Sequence, residues 1–445
     1  MFVRMGAMMM ALAVMAGAVY AQTPEEAAET VAAVAGYKRG DSRAPLIEVE
    51  KLIRESHGNA AVRKAIYNGL VKILDSNATQ DAKLFVCRQL WMLGPKDALS
   101  VLKPMLLNDD TVDMACYAIA QDPAPEAGQA LREALAEAKG NAEVAIANLL
   151  GDRGDTEAVQ ALCAVASGDR LPAARAAMRA LGKIGTEAAA ACLTKGLTSD
   201  EATVRSAAMD AALICAEELL EGGKRAEAKA IYSELAKDTY PQAVQKAAQL
   251  GLNNVKLGPP VVLFDGENLD HWEGNLEIWR IENGAIVGGS LENPVPHNDF
   301  LCTKESFEDF ELRLQVKISS PDANAGIQIR SKRDSDSPAV SGYQADMGQQ
   351  YWGCLYDEHR RNKILVNADQ EKVKQVIDLT DWNDYVIRCE GKRIQLWLNG
   401  YQTADYTETD DTISQSGIIG LQIHGGPPSQ AWYRDIVLRK IVPIE

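Results

Sequence analysis

Residues 310–318 read FELRLQVKI, and this stretch decides the fold class of the second half of the chain. Its apolar residues occupy every second position from Phe310 to Ile318, with polar or charged residues between them. Successive side chains of a strand point to opposite faces, so this spacing predicts a strand with one buried and one solvated face. The stretch therefore indicates an antiparallel sheet.

The same period of two recurs on both sides of this stretch. Residues 394–398 read IQLWL, and Asn399-Gly400 follows directly, which is a strong signal for a tight hairpin turn. Many short strands separated by Gly, Asn and Pro predict an all-β sandwich or jelly roll over residues 260–442.

Upstream of Pro259-Pro260 the period changes. Residues 22–255 are rich in Ala, Leu and Glu, and their apolar positions recur every three or four residues. Gly94, Pro123, Gly154 and Gly185 punctuate this half at intervals of roughly 30 residues, which indicates stacked helix pairs. The segment resembles HEAT-like repeats and predicts an all-α solenoid. A non-repetitive helical bundle is the alternative.

The first 21 residues have the pattern of a signal peptide. Arg4 precedes an apolar stretch at 7–17, and the small-residue sequence VYA at 19–21 is a plausible cleavage site. A membrane-spanning helix is the alternative, but the apolar stretch is shorter than the roughly 20 residues a span requires. We therefore expect export to the periplasm or the extracellular space, with no transmembrane span.

Length and charge limit the function classes. A chain of 445 residues is long for one core, which favours two domains. A formal net charge of -16 argues against nucleic acid as a partner. The 8 cysteines are scattered without a C-x-x-C motif or zinc-site spacing, so buried free thiols are expected, with disulfides left open.

Three pairs of polar residues stand two positions apart in strand-like stretches of the second half. They are Gln328 with Arg330, Gln344 with Asp346, and Gln422 with His424. Residues two apart on a strand share a face, so the pairs predict a sheet face carrying amides, a guanidinium, a carboxylate and an imidazole. A plain solvated face is the alternative, and the scarcity of Lys and Glu in these pairs favours a carbohydrate site.

Each residue type in these pairs suits a defined task. Arg330 offers a fixed fork of donors for hydroxyls or an oxyanion, and the glutamines both donate to and accept from sugar hydroxyls. His424 titrates near neutral pH and could move a proton, and Asp346 could orient it or bind a metal.

A charged segment lies between the second and third pairs, where residues 351–365 read YWGCLYDEHRRNKIL. Asp357 or Glu358 is a candidate general base, and Arg360 or Arg361 a candidate for holding an anion or ketone oxygen. Trp352 and the tyrosine before it could stack on a sugar ring. The alternative is a solvated loop whose internal ion pairs contribute little.

Several catalytic signatures are absent from the sequence. There is no H-E-x-x-H, no G-x-S-x-G and no P-loop. The E-x-D-x-x-E arrangement of laminarinase-like sandwich glycosidases is missing too. Retaining hydrolysis by two carboxylates is therefore not indicated.

The second half resembles the 3-keto-disaccharide hydrolase domain family over nearly all of residues 260–441. The matching stretches are LFDGENLDHW at 263–272, WRIENGAIVGG at 279–289, NDFLCTKESFEDFELRLQVKI at 298–318, AGIQIRSKR at 325–333, SGYQADMGQQYWGCLYDEHRRNKIL at 341–365, WNDYVIRCEGKRIQLWLNG at 382–400 and GIIGLQIHGGPP at 417–428. The resemblance implies a concanavalin A-like jelly roll. It also implies an oxidised, 3-keto glycoside or oligosaccharide as substrate.

The activities implied are those of a 3-keto-glucoside lyase and a 3-keto-2-hydroxy-glucal hydratase. A C3 ketone acidifies the neighbouring C2–H, so a base forms an enolate that expels the group at C1 before water adds. In this hypothesis His424 or Glu358 takes the proton, and Arg330 and Arg361 steady the enolate.

The remaining polar candidates are given supporting tasks in the same hypothesis. The three glutamines and Asp346 hold hydroxyls, and Trp352 and Asp357 contact the substrate. No cofactor is certain. A divalent cation bound by Asp346, Glu358 or His424 could replace part of the arginine role.

Two further functions remain open. The sandwich could be a lectin-like carbohydrate-binding module without turnover, presented on the helical repeats. Alternatively the chain could be a scaffold whose repeats bind a protein partner while the sandwich recognises sugar. The titrating set of His424, Asp346 and Glu358 favours catalysis, because a lectin needs no titrating imidazole.

Overall fold

The computed structural model describes residues 23–335 and 337–443. The chain divides into two compact units between residues 251 and 252. The first is helical and the second is built from strands, which confirms the predicted division into an all-α and an all-β part. The predicted signal peptide, residues 1–21, lies outside the described residues.

The helical part consists of successive helices with short connections. The α-helices are α1 Pro24–Ala32, α2 Ala44–Glu55, α3 Ala60–Leu74, α4 Gln80–Leu93, α5 Leu99–Leu106, α6 Val112–Ile119, α7 Pro125–Glu137, α8 Gly140–Asp152, α9 Val159–Ala166, α10 Leu171–Ile184, α11 Glu187–Gly196, α12 Ala202–Glu221, α13 Arg225–Leu235 and α14 Gln242–Val255. No helix in the described part of the chain is both long and apolar enough to cross a membrane.

Small residues allow neighbouring helices to approach closely. A Cβ on Gly151 of α8 would lie 2.5 Å from the Cα of Ala180 of α10, and a Cβ on Gly182 would lie 2.7 Å from the carbonyl oxygen of Ala211 of α12. Gly185 ends α10 in a left-handed conformation at φ 60°, which glycine adopts without strain. The alanine-rich sequence therefore specifies tight stacking of α8, α10 and α12.

One pair of cysteines in this unit forms a disulfide. Cys163 of α9 is bonded to Cys192 of α11, and their Cα atoms are 5.8 Å apart. The expectation of free thiols is therefore wrong for this pair, because consecutive repeats bring two residues together that are 29 positions apart in sequence. The other six cysteines are free.

The second unit consists of two antiparallel sheets and one short helix. Its strands are β1 Leu257–Phe264, β2 Trp272–Glu273, β3 Trp279–Glu282, β4 Ala285–Ser290, β5 Asp299–Thr303, β6 Phe310–Ile318, β7 Asn324–Arg333, β8 Val340–Gly348, β9 Leu355–Glu358, β10 Lys363–Val366, β11 Asn383–Glu390, β12 Arg393–Leu398, β13 Tyr401–Thr407, β14 Ile418–Ile423 and β15 Ser429–Ile441, with helix α15 at Gln370–Val376.

The two sheets have defined strand orders. The first runs β13-β12-β11-β6-β15-β4-β3, with β1 paired to β15, and the second runs β10-β9-β8-β7-β14-β5-β2. Leu312 and Leu314 of the first sheet and Ile327, Ala345 and Leu421 of the second belong to one buried apolar cluster. The predicted β-sandwich is confirmed. The alternate residues of β7, β8 and β14 point away from this core, and there the candidate site lies.

Candidate functional site

A cavity of about 460 Å³ lies on the face of the second sheet that points away from the core. This volume is within the range of about 300–1,000 Å³ that small-molecule sites occupy. The lining residues are Asn324, Gln344, Asp346, Tyr351, Tyr356, Glu358, Asn362, Lys363, Ile364, Gln422 and His424. Two of the three predicted pairs, Gln344 with Asp346 and Gln422 with His424, therefore contribute both members.

The register of the central strands brings these pairs together. Gly326 of β7 is aligned with Asp346 of β8 on one side and with Gln422 of β14 on the other. A Cβ on Gly326 would lie 2.7 Å from the side-chain amide carbon of Gln344. A glycine at this position thus leaves the space in which the Gln344 side chain lies between its neighbours.

A chain of directed hydrogen bonds fixes the amides of the cavity floor. The Ser331 hydroxyl donates to Gln328 Oε1 at 2.6 Å, and Gln328 Nε2 donates to Gln344 Oε1 at 2.7 Å. Gln344 Nε2 in turn donates to Asp346 Oδ1 at 2.6 Å and to Gln422 Oε1 at 3.1 Å. Because each donor uses the acceptor of the next residue, the orientation of every amide is determined.

The last amide of this chain keeps an unused donor. Gln422 is fully buried, and its Nε2 has no hydrogen-bond partner. Leaving a buried amide donor unpaired costs about 1–3 kcal/mol. Since Gln422 lines the cavity, an acceptor atom of a bound molecule would remove that cost.

Asp346 is a carboxyl group whose protonation is unusual. Burial raises its pKa to about 8, the amide hydrogen bond from Gln344 opposes the shift, and the charge of Glu358 adds to it. At neutral pH the group is therefore mostly protonated and can donate a hydrogen bond. A buried carboxyl with a perturbed pKa inside a cavity is typical of functional sites.

His424 and Glu358 stand at two strand ends, and one asparagine links Glu358 to Gly425, the residue after His424. Asn298 Nδ2 donates to Glu358 Oε1 at 3.2 Å, and Asn298 Oδ1 accepts from the Gly425 amide at 2.9 Å. The His424 side chain is exposed, and its Nδ1 lies 2.7 Å from the Gly425 carbonyl oxygen. A carbonyl only accepts, so Nδ1 carries the proton and the neutral ring keeps the lone pair on Nε2.

Several lining residues were missed in the sequence. Asn324 lies four positions before Gln328, and Tyr356 two positions before Glu358, so extending the period of two along β7 and β9 would have identified both. Lys363 of β10 has no such signal, because only the pairing of β10 with β9 brings it to the cavity.

The structure does not bring Arg330 to the cavity, which corrects its predicted contact with an enolate. A β-bulge interrupts β7 between Ile329 and Lys332, and Arg330 has a φ of 48°. Its buried guanidinium donates to Asp309 Oδ1 at 2.8 Å and to the carbonyl oxygens of Glu308 and Gly391 at 2.7 Å. The bulge breaks the alternation from which a shared face with Gln328 was inferred.

Asp357 and Arg361 are likewise engaged away from the cavity, so their predicted substrate contacts are not supported. The buried Asp357 carboxylate pairs with Arg360 and Arg361, and Arg361 also donates to Glu408 Oε2 at 2.7 Å. Burial disfavours the charged form of Glu408, but hydrogen bonds from Arg361 and Tyr343 outweigh it and hold its pKa well below its usual range. The cluster anchors the β9–β10 hairpin, which supplies one wall of the cavity.

Two further predicted contacts are also corrected. Trp352 is 2% exposed and belongs to the apolar core, so it cannot stack on a ligand in the cavity. Gln328 does not line the cavity and acts on it through Gln344. Tyr351 and Tyr356 are the aromatic residues that do line it.

The sequence makes Asp346, Glu358 and His424 candidate metal ligands. Among residues 23–335 and 337–443, no three His, Cys, Asp or Glu side chains lie close enough together to hold a metal ion. The three candidates share the cavity without forming such a group.

Comparisons with known families agree with the two halves. Residues 259–439 match the family model of the 3-keto-alpha-glucoside-1,2-lyase-like domain, and residues 133–213 match HEAT repeats. Both resemblances inferred from the sequence are confirmed over these residues. The family match supports a carbohydrate-active role for the sandwich unit.

The chain is also similar to solved structures at low identity, and no curated protein matches it. A candidate glycosyl hydrolase of Parabacteroides distasonis is 16% identical, with a TM-score of 0.33 and coverage of 41% of this chain and 93% of that one. Carbohydrate-binding module CBM66 of Bacillus subtilis is 14% identical, with a TM-score of 0.30 and coverage of 38% and 96%. A Bacillus subtilis protein with a galectin-like fold is 10% identical, with a TM-score of 0.33 and coverage of 42% and 97%.

Proposed function

We propose that the sandwich unit cleaves 3-keto glycosides by C2 proton abstraction, elimination at C1 and hydration. One observation carries the proposal: two buried donors and one free base share a cavity. The donors are the unpaired Nε2 of Gln422 and the carboxyl of Asp346, whose pKa is raised to about 8. The base is Nε2 of His424.

In the first step His424 Nε2 takes the proton from C2 of the keto sugar. The C2–H bonding electrons form a C2=C3 double bond, and the C3 carbonyl electrons move to oxygen. Asp346 and Gln422 donate hydrogen bonds to that oxygen, as a protonated carboxylic acid can in a dry site. Such stabilisation replaces the role first assigned to Arg330 and Arg361, and each donor contributes about 10²–10³-fold.

In the second step the C3 carbonyl re-forms, a C1=C2 double bond appears and the C1–O bond breaks. The imidazolium of His424 gives its proton to the departing oxygen. Water then adds across the double bond, with hydroxyl at C1 and hydrogen at C2. The sum is hydrolysis of the glycoside, with no oxidation or reduction.

The competing function is a lectin-like module that binds sugar without turnover. The amide floor of Gln344 and Gln422 would serve either function, because amides suit hydroxyl groups. The buried carboxyl of Asp346 favours catalysis, since a mostly uncharged carboxyl is a costly means of binding a hydroxyl.

The test is to incubate the full chain with a 3-keto-disaccharide and to measure the released sugar. We expect turnover, with His424→Gln lowering kcat by about 10²–10⁴-fold, the usual contribution of a positioned base. His297→Gln is the matched control, because His297 is also exposed and contacts a backbone carbonyl but does not line the cavity. Binding without release by the unmodified chain would establish the lectin function instead.

Glu358 is the second candidate for the base. Glu358→Gln keeps the shape of the side chain and the acceptor for Asn298 Nδ2. If Glu358→Gln abolishes turnover while His424→Gln retains it within a few-fold, the base assignment moves to Glu358.

We also propose that the chain is exported, which the disulfide between Cys163 and Cys192 supports because disulfides persist in oxidising compartments. Cell fractionation tests this. A protein partner of the helical unit is a further proposal. It is supported by the exposed ring pair Trp91 and Tyr117, whose centroids are 5.9 Å apart, and Trp91→Ser should weaken such a complex without changing turnover.

A further inference from the structure

A second cavity of about 510 Å³ adjoins the first. It is lined by Ser320, Asp322, Ala323, Asn324, Gln349 and residues 424–429. Asn324 and His424 line both cavities. The His424 amide donates to the Asn324 carbonyl oxygen at 3.2 Å, so these two residues form a continuous ridge between the cavities.

The ridge places His424 between the two cavities. If the keto ring of a glycoside contacts Asp346 and Gln422 in the first cavity, a C1 substituent directed past His424 would enter the second. The leaving oxygen would then be next to the imidazole that takes the C2 proton. The two cavities together thus match a molecule with one ring on each side of His424.

Both walls of the second cavity are held by hydrogen bonds before any ligand is bound. On one side the Gln349 amide donates to the Pro321 carbonyl oxygen at 3.2 Å, and Gln349 Nε2 donates to that of Asp322 at 2.9 Å. On the other side Asn298 Oδ1 accepts from the Gly425 amide at 2.9 Å. A Cβ on Gly425 would lie 2.7 Å from the backbone carbon of His297, so the turn packs tightly against that segment. A preformed wall avoids the cost of ordering it on binding.

The charge of the second cavity is one-sided. Among the described residues that line it, Asp322 is the only acidic one, there is no lysine or arginine, and His424 is the only aromatic ring. Asp322 is exposed, so its field acts through water and is moderate and sensitive to salt. Hydroxyl, amide and carboxylate groups suit a hydroxylated ligand, and the carboxylate disfavours an anionic one.

We propose that the second cavity is the leaving-group subsite and that Asp322 selects by charge, accepting neutral or cationic sugars and disfavouring acidic ones. This inference rests on the proposed function for the orientation of the substrate. It adds a specificity that the family match does not assign.

The test uses three 3-keto disaccharides with the same keto ring and linkage, whose leaving sugars are glucose, glucosamine and glucuronic acid. Turnover is measured at about pH 6.5, where the amine is charged and the uronate is ionised. We expect kcat/KM for the glucosamine compound to exceed that for the glucuronate compound by about three- to ten-fold at low salt, a ratio that shrinks near 1 M salt.

Asp322→Asn should bring that ratio to within two-fold. Asp381→Asn is the matched control, because Asp381 is also an exposed aspartate of the same unit but lines neither cavity. The proposal is overturned if the unmodified chain has the same kcat/KM for the glucosamine and glucuronate compounds, or if Asp322→Asn leaves their ratio unchanged.

Binding separates this inference from the proposed function. Calorimetric titration with the same three compounds measures the charge preference whether or not turnover occurs. A charge preference in binding that Asp322→Asn removes supports the subsite even if no sugar is released. Binding of this kind without release would refute the proposed catalysis but not the subsite. Equal binding of all three compounds refutes the subsite even if turnover is observed.

Discussion

The helical unit and the sandwich differ in what they bury. Among the described residues, three polar side chains are buried in the helical part, Ser56, Gln89 and Glu143, whereas the sandwich buries fifteen. A buried polar group costs free energy unless its hydrogen bonds are made. Stacked helices need only apolar contacts between neighbours, so the abundance of buried polar groups in the sandwich requires a separate explanation.

The buried polar groups of the sandwich are themselves of two kinds. Arg330 and Asp357 are paired with opposite charges and lie away from the cavity. Gln422 and Asp346 line it, one with an unused donor and the other with a carboxyl mostly protonated at neutral pH. Among these four residues, the two that are ion-paired lie away from the cavity, and the two that line it keep a donor or a proton available for a bound molecule.

The largest expected effect is on the unfolding free energy and concerns the buried groups that are ion-paired. Arg330→Met removes a fully buried guanidinium, and we expect the sandwich to lose about 3–5 kcal/mol of unfolding free energy. In contrast, kcat of the folded protein should stay within about three-fold, because Arg330 does not line the cavity. Denaturant unfolding and turnover at low temperature measure the two quantities.

Arg313→Met is the control for this change, because Arg313 is 60% exposed and its ion pair with Glu311 contributes little. A large loss of kcat in folded Arg330→Met would return Arg330 to the catalytic machinery.

The next effect tests the helical unit alone. Replacing Cys163 and Cys192 by Ser opens a link between residues 29 apart, which should cost about 2–4 kcal/mol. The unfolding transition of the helical unit, followed by circular dichroism, should shift to lower stability. The transition followed by tryptophan fluorescence should change little, since six of the seven tryptophans lie in the sandwich. Cys116→Ser, at a free cysteine of the same unit, is the control. Equal shifts of both signals would show that the two units unfold together.

The last effect appears only at high pH and concerns the buried groups that line the cavity. Folding raises the pKa of Asp346 from 3.8 to about 8, so the folded state binds the proton more tightly than the unfolded chain does. The resulting stability is complete below about pH 4 and is lost as the pH rises toward 8. Asp346→Asn cannot ionise, so near pH 9 it should be more stable than the unmodified chain, and this advantage should disappear near pH 4.

The activity of the same variant sharpens this prediction. If Asp346 acts as a neutral donor, kcat of the unmodified chain falls as the pH rises through about 8, and Asp346→Asn retains activity without that decline. Asp346→Ala, which has no donor, is the control and should be the less active variant. Equal loss in both variants would instead indicate that the ionised carboxylate is required.

The sequence by itself determined the fold class and most of the cavity floor. Helical and strand periods are local properties, so the spacing in 310–318 and the alanine-rich repeats suffice to identify the two halves. The pairs around Gln344 and Gln422 lie on regular strands, where alternation is reliable. The family resemblance rested on stretches in the same order along the chain and needed no structure.

Only the tertiary structure decided which polar residues line the cavity. The bulge at Arg330 redirected one predicted ligand, and Arg361 paired with carboxylates that lie in different parts of the sequence. Asn298 reaches both Glu358 and Gly425, and the Cys163 disulfide forms across repeats. These outcomes depend on register and on contacts between distant segments. A local period contains no information about either, because hydrogen-bond partners are chosen only when the sheets assemble.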